Sequence, residues 1–277
     1  MNTVNLQYIL MIFTALAVLI LVVHFTTKTR FELRTMVIVS FMSLLSTVLA
    51  AYLSVFIPLF GFPSLKFGFS QLPIMIVGAM FGPWWGMVAG VLEDLLELAS
   101  GTIASPYIGF TLNKALIGII PGVIFLIAAR HPKNLKPLLI SLVALLYSAS
   151  IYFIITTESV TASQVTYVLT FPVKAVLIAM TIVIIPIAYF ANKALQQKNK
   201  QQSLFQSWLL SVILIEILVN VILTPLWLYH LYGIPIEIQI IIRSIKASFF
   251  VVLNSFLAYF IYRSLNRLNR RPARKKL

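Results

Sequence analysis

Residues 66–122 read KFGFSQLPIMIVGAMFGPWWGMVAGVLEDLLELASGTIASPYIGFTLNKALIGIIPG, and this stretch decides the fold. It is apolar enough to lie in a bilayer, yet it carries Glu93, Asp94, Glu97 and Lys114, and glycines and prolines divide it into short pieces. A charge at bilayer depth costs roughly 2.5 to 3.5 kcal/mol on insertion scales, so such residues line cavities rather than face lipid. Short, Gly/Pro-interrupted membrane segments likewise point to a binding site in transport proteins. The remaining sequence is expected to scaffold this region.

Composition sets the class. Of the 277 residues, 60% are hydrophobic, and the mean hydropathy is +0.99, far above a soluble domain. The chain is therefore expected to be an all-α, polytopic membrane protein. It has no cysteine, which removes disulfides, thiol catalysis and Cys-ligated metals. The net charge of +14 lies mostly in short links between apolar runs and in the tail after residue 262. That distribution sets membrane orientation and contacts anionic lipid; it is not the footprint of a nucleic-acid binder.

Taken outward from the central stretch, the apolar runs give nine crossings, with the N-terminus outside and the C-terminus inside. Residues 6–26 lack a basic residue before them and have Lys28, Arg30 and Arg34 after them, which predicts a retained helix rather than a cleaved signal. Residues 35–58 form the next helix. Its small residues Ser43, Thr47 and Ala51, with Ser46, Ala50 and Ser54, fall four apart and suit either internal packing or docking of a partner subunit. Two short crossings between residues 70 and 100, turning at the Gly-Pro-Trp-Trp-Gly of residues 82–86, keep the basic link 130–136 inside; one crossing would put it outside. Helices at 107–128, 137–157, 166–192, 204–229 and 237–262 follow, and TESVTASQ at 157–164 joins two of them outside. The whole is expected to form a single membrane domain.

The side chains exclude several chemistries. No phosphate-cradling loop with a Gly-Lys-Ser/Thr ending is present, His24, His131 and His230 lie far apart, and no serine sits in a Gly-x-Ser-x-Gly elbow. What remains is a group near the outer ends of the helices: Glu93 and Glu97 on one helical face with Asp94 about 100° away, Phe110, Thr111 and Lys114, the aromatics Trp227, Tyr229 and Tyr232, and Arg243 with Lys246 one turn apart. Either Asp94, Arg243 and Lys246 bridge one another and staple helices, or they form an outward site. In the second case a guanidinium and an ammonium receive an anion, and aromatic walls receive a flat ring.

At these residues the chain resembles the folate-type substrate-binding (S) components of energy-coupling factor (ECF) transporters. The similar pieces are LKFGFSQLPIMIVGAMFGPWWGMVAGVLEDLL, PYIGFTLNKALIG and LTPLWLYHLYGIPIEIQIIIRSIKAS, in family order. The resemblance implies a six-helix core over residues 35–128 and 204–262. The helix at 6–26 and the pair at 137–192 would then be about three additions, and residues 263–277 a basic cytoplasmic tail. It implies a non-enzymatic, multi-pass subunit of a bacterial plasma membrane. That subunit takes a folate-like vitamin from outside and releases it inward by toppling, in complex with a coupling protein and two ATPases. The chain itself would hold no cofactor, ATP being used by the partners. By motif, Asp94, Gly109, Phe110, Thr111, Trp227, Tyr232, Arg243 and Lys246 would lie at or near the pocket, and the small-residue rows would face the coupling protein. Ile108 in place of a proline, Lys114 in an otherwise apolar turn, and Thr224 with Pro225 depart from the family pattern; Lys114 is expected to favour a more acidic or different ligand. An S component for another vitamin, and a self-sufficient transporter using Glu93, Asp94 or Glu216 as a proton-coupling carboxylate, are the alternatives.

Overall fold

The computed structural model describes residues 32–59, 62–101, 107–130, 135–162, 165–168, 170–182 and 199–269 of the chain, so the expected helix at 6–26 lies outside the described residues. Helix α1, Leu33–Tyr52, runs without glycine or proline. It ends six residues earlier than the sequence suggests. Pro58 has no amide to donate to a helix, and the β-branched and aromatic residues before it enter an antiparallel hairpin instead. Strands β1 (Val55–Leu59) and β2 (Phe62–Phe67) pair Val55 with Phe67 and Ile57 with Leu65, with an irregularity at Pro58.

Helices α2 (Gln71–Phe81) and α3 (Pro83–Ala99) form a hairpin that turns at the Gly-Pro step. Gly82 turns the chain with φ of 92°, a region glycine occupies without steric cost, and Pro83 opens α3 where its missing donor is harmless. In one straight helix Gly78 and Gly86 would be about 12 Å apart. Here a Cβ on Gly86 would lie 2.8 Å from the Gly78 Cα, so the two arms run side by side. Helix α4, Ile108–Arg130, lies against both. A Cβ on Gly118 would fall 1.9 Å from the Gly86 carbonyl oxygen, which means three backbones meet along a glycine seam that alanine cannot enter.

Helix α5 (Leu135–Thr156) leads to a second hairpin, β3 (Ser159–Ala162) and β4 (Val165–Val168), and then to α6 (Phe171–Ile182). The helix expected from residue 166 therefore begins at Phe171: Val165, Thr166 and Val168 are β-branched and pair with β3, and Pro172 occupies the first helical turn. Among the described residues, two short hairpins thus interrupt the run of helices.

Residues 199–232 form one long column: α7 (Asn199–Leu214), a π-helical stretch (Ile215–Leu223), and α8 (Thr224–Tyr232). The wider turn coincides with Pro225, which removes a donor from the ladder, and the Thr224 hydroxyl donates to the Val219 carbonyl five residues back at 2.6 Å. Gly233, left-handed at φ 64°, ends the column. Helix α9, Ile236–Asn269, is 34 residues and so about 51 Å long, more than a bilayer core is thick.

Helices α1 to α4, the 199–232 column and α9 pack together; α5 lies against α7 and α9, and α6 against α5 and α9. Among the described residues, four helices are long and apolar enough to cross a membrane, Leu33–Tyr52, Ile108–Arg130, Pro137–Thr156 and Ser203–Tyr232. The protein is a helical, multi-pass membrane protein. One part of its core is aromatic: Trp208 of α7 meets Phe125 of α4 and Tyr262 of α9 edge to face at 4.9 and 5.5 Å. Polar residues collect elsewhere, toward the starts of α4 and α9.

Most of the small residues of α1 pack within the chain. Ser43, Ser46, Thr47 and Ala50 are buried within the chain, and the Ser43 hydroxyl contacts the Val39 and Ala89 carbonyls at 3.0 and 3.1 Å. They let α3 approach, as internal packing of these rows requires. Ser54 is half-buried, its hydroxyl donating to the Ala50 carbonyl, while Ala51 alone of the six is exposed. The outward face of α1 consists instead of Val37, Phe41, Leu44 and Val48.

Candidate functional site

Helix α3 carries three carboxylates in five residues, and its pitch sends them two ways. Glu93 and Glu97 share the buried face and receive the Lys114 ammonium from α4, at 2.8 and 3.2 Å. Ser46 Oγ of α1 lies 2.6 Å from Glu93 Oε1 and also contacts the Ser70 carbonyl. Asp94 turns aside to accept from the Thr111 hydroxyl at 2.5 Å. Lys114, expected to meet a ligand, is instead engaged by two carboxylates inside the protein. The sequence showed each charge but not the pairing, because α3 and α4 are aligned by the glycine seam.

The first turn of α4 and the column end make an aromatic corner. Tyr107, just before α4, meets Phe110 and Trp227 edge to face at 5.8 and 5.9 Å, and His230 lies 6.5 Å away. Gly109 is required by shape, since a Cβ there would lie 2.4 Å from the Tyr107 ring and 2.8 Å from Trp227. The Trp227 indole donates to Asn113 Oδ1 at 3.1 Å, Asn113 Nδ2 donates to the Thr224 hydroxyl at 3.1 Å, and that hydroxyl donates to Val219. Trp227 is thereby fixed to the π-helical turn. Asn113, Tyr107 and Thr224 are the residues that sequence reasoning left out of the site. An asparagine inside an apolar helix was the available signal, since its buried amide must find partners.

Arg243 and Lys246 occupy α9. Arg243 is 9% exposed, and its Nε donates to Gln239 at 3.2 Å, while the Lys246 ammonium sits 5.1 Å from the centre of the Phe250 ring. Both lie within electrostatic reach of the fully buried Glu216 on the π-helical stretch. Glu216 Oε2 accepts from Asn220 at 2.9 Å. Glu216, rather than Asp94, is thus the carboxylate within electrostatic reach of the α9 cations. Two cations against one carboxylate leave one positive charge on this side, while Glu93, Glu97 and Asp94 against Lys114 leave negative charge on the other. Tyr232 is not brought in: it is 59% exposed at the end of α8.

This arrangement defines a class, a helical membrane protein with a polarised layer of charged and aromatic side chains enclosed among its helices. The family profile described as ECF transporter, substrate-specific component, matches residues 34–228. The chain belongs to that family. It is similar to the folate transporter FolT of Clostridium novyi (strain NT), with 29% identity over 94 residues, 34% of this chain and 52% of that protein. The chain thus spans about half the length of the curated relative it matches. A solved structure described as FolT bound with folic acid aligns with 84% of this chain and 97% of its own, with 19% identity and a TM-score of 0.49.

Proposed function

We propose that this chain is the vitamin-binding subunit of an ATP-driven ECF importer and that its ligand is folate or a related pterin. The observation that carries this reading is Arg243, buried on α9 with the half-buried Lys246 one turn on, in a protein whose α3, α4 and α8 build a separate corner of Asp94, Thr111, Tyr107 and Trp227. The cations suit the ligand's carboxylates, and a guanidinium matches their two oxygens in one plane. The corner suits a flat heteroaromatic ring with N–H groups, which Asp94 accepts and Trp227 stacks. The family supports a partner assembly of one coupling protein and two ATPases in a bacterial plasma membrane, with release inward by toppling of the subunit.

Saturable quenching of tryptophan fluorescence by folic acid is expected for the purified chain at one ligand per chain. The chain is also expected to copurify with a coupling protein and two ATPases when they are coexpressed. Absence of saturable quenching, with the same protein monodisperse and helical, would remove folate as the ligand.

Nine crossings, with the N-terminus outside and the C-terminus inside, complete the proposal. Because the chain has no cysteine, single substitutions report sidedness directly. Glu158→Cys is expected to react with an impermeant maleimide on intact cells, and Lys133→Cys only after the cells are opened. The reverse pattern would invert the topology.

A further inference from the structure

The cluster of Glu93, Glu97 and Lys114 holds one cation against two carboxylates, both carboxylates buried and the Lys114 side chain 19% exposed. Glu93 is fully buried, and its Oε2 has no hydrogen-bonding partner. An isolated net charge in such surroundings costs several kcal/mol, and the usual relief is a proton or a second cation. The hydrogens also fall short. Ser46 owns one hydroxyl hydrogen but stands against two acceptors, the Ser70 carbonyl and Glu93 Oε1. If Ser46 donates to Ser70, the contact at 2.6 Å between Ser46 and Glu93 lacks a hydrogen unless Glu93 supplies it.

Among the described residues, the charges that act on Glu93 are Lys114 and Glu97. Helix α1 offers Ser43, Ser46 and Thr47, the start of α2 offers the Ser70 carbonyl, and α4 offers Lys114 and Thr111, the latter already given to Asp94. Asp94, on the same helix as the pair, adds negative charge. Arg243 and Lys246 act on Glu216 instead. Among the described residues, no group of His, Cys, Asp and Glu has the arrangement of a metal site.

We infer that Glu93, with Ser46, Glu97 and Lys114 around it, is a buried proton-binding site. Glu93 stands as the neutral acid, its hydrogen directed to Ser46 and that of Ser46 to the Ser70 carbonyl, while Lys114 and Glu97 form the ion pair. The proton leaves the cluster electrically neutral. The layer's other groups, Asp94 and Glu216 against Arg243 and Lys246, then sum to zero, and loss of the proton makes the layer negative.

The first test needs no ligand. Infrared difference spectra of the full chain in detergent at neutral pH are expected to show the C=O stretch of a buried carboxylic acid, shifted in D2O. The band should be lost in Glu93→Gln and kept in Asp94→Asn. Its absence from the native chain, or its loss only in Asp94→Asn, would overturn the inference. A band present in choline buffer and abolished by sodium would assign the balancing charge to a metal cation and overturn it equally. Thermal unfolding provides a second readout. Glu93→Gln imitates the neutral acid and is expected to keep the native melting temperature, whereas Glu97→Gln lowers it; equal losses in the two would make Glu93 an ionised partner of Lys114.

A further arm rests on the folate reading. Folic acid binding should weaken as pH rises relative to Glu93→Gln, by no more than about tenfold per pH unit, the limit for one linked proton. Identical pH profiles in the two proteins would sever the proton from the ligand. If folic acid does not bind at all, the ligand assignment fails, and the infrared band still decides the proton.

Discussion

Arg243→Ala is expected to weaken folic acid binding by about 10²-fold, or ~3 kcal/mol, the range found when one side of a buried charge contact is truncated. The guanidinium is almost wholly enclosed on α9, so its loss also leaves Glu216 facing Lys246 alone. Those two consequences are separable by calorimetry. If Arg243 serves only to balance Glu216, then adding Glu216→Gln to Arg243→Ala restores affinity, because the orphaned carboxylate is gone. If Arg243 receives the ligand's carboxylate, the double variant stays weak. The second outcome is expected. Arg243→Lys should recover only part of the loss, since an ammonium keeps the charge but not the planar fork.

Lys114→Met is expected to have the largest effect on stability, about 3 to 5 kcal/mol, because it removes the cation from between two buried carboxyl groups. The measurement is the melting temperature in detergent, with folic acid affinity taken well below it. Combining Lys114→Met with Glu93→Gln and Glu97→Gln should regain most of the stability, as the neutral cluster needs no counter-ion. Affinity is expected to change little in the triple variant. A stable Lys114→Met that loses binding would return Lys114 to the ligand, the role its position in the sequence suggested.

The difference between those two roles shows where sequence stops. That Glu93 and Glu97 share a face follows from helical pitch, and it was legible. That the face points at Lys114, and not at a cavity, depends on how α3 lies against α4. The glycine seam fixes that register through Gly78, Gly86 and Gly118, which the sequence shows as glycines without showing that they meet. The same holds for α1. Small residues four apart promised a close helix contact, and one exists, but with α3 of the same chain. The hairpins at 55–67 and 159–168 were missed because hydropathy alone does not separate a short apolar strand from the end of a membrane helix.

By itself the sequence determined the membrane class, through an apolar content no soluble fold needs. It also determined the reversal at Gly82, where glycine and proline leave the backbone few alternatives, and the identity of the residues too polar for lipid. Only the tertiary structure decided their partners. Asp94 went to Thr111, Lys114 to Glu93 and Glu97, Trp227 through Asn113 to the π-helical turn, and Glu216 came within electrostatic reach of Arg243 and Lys246. A buried polar group must find a complement, and which complement is nearest depends on the crossing of helices far apart in the chain.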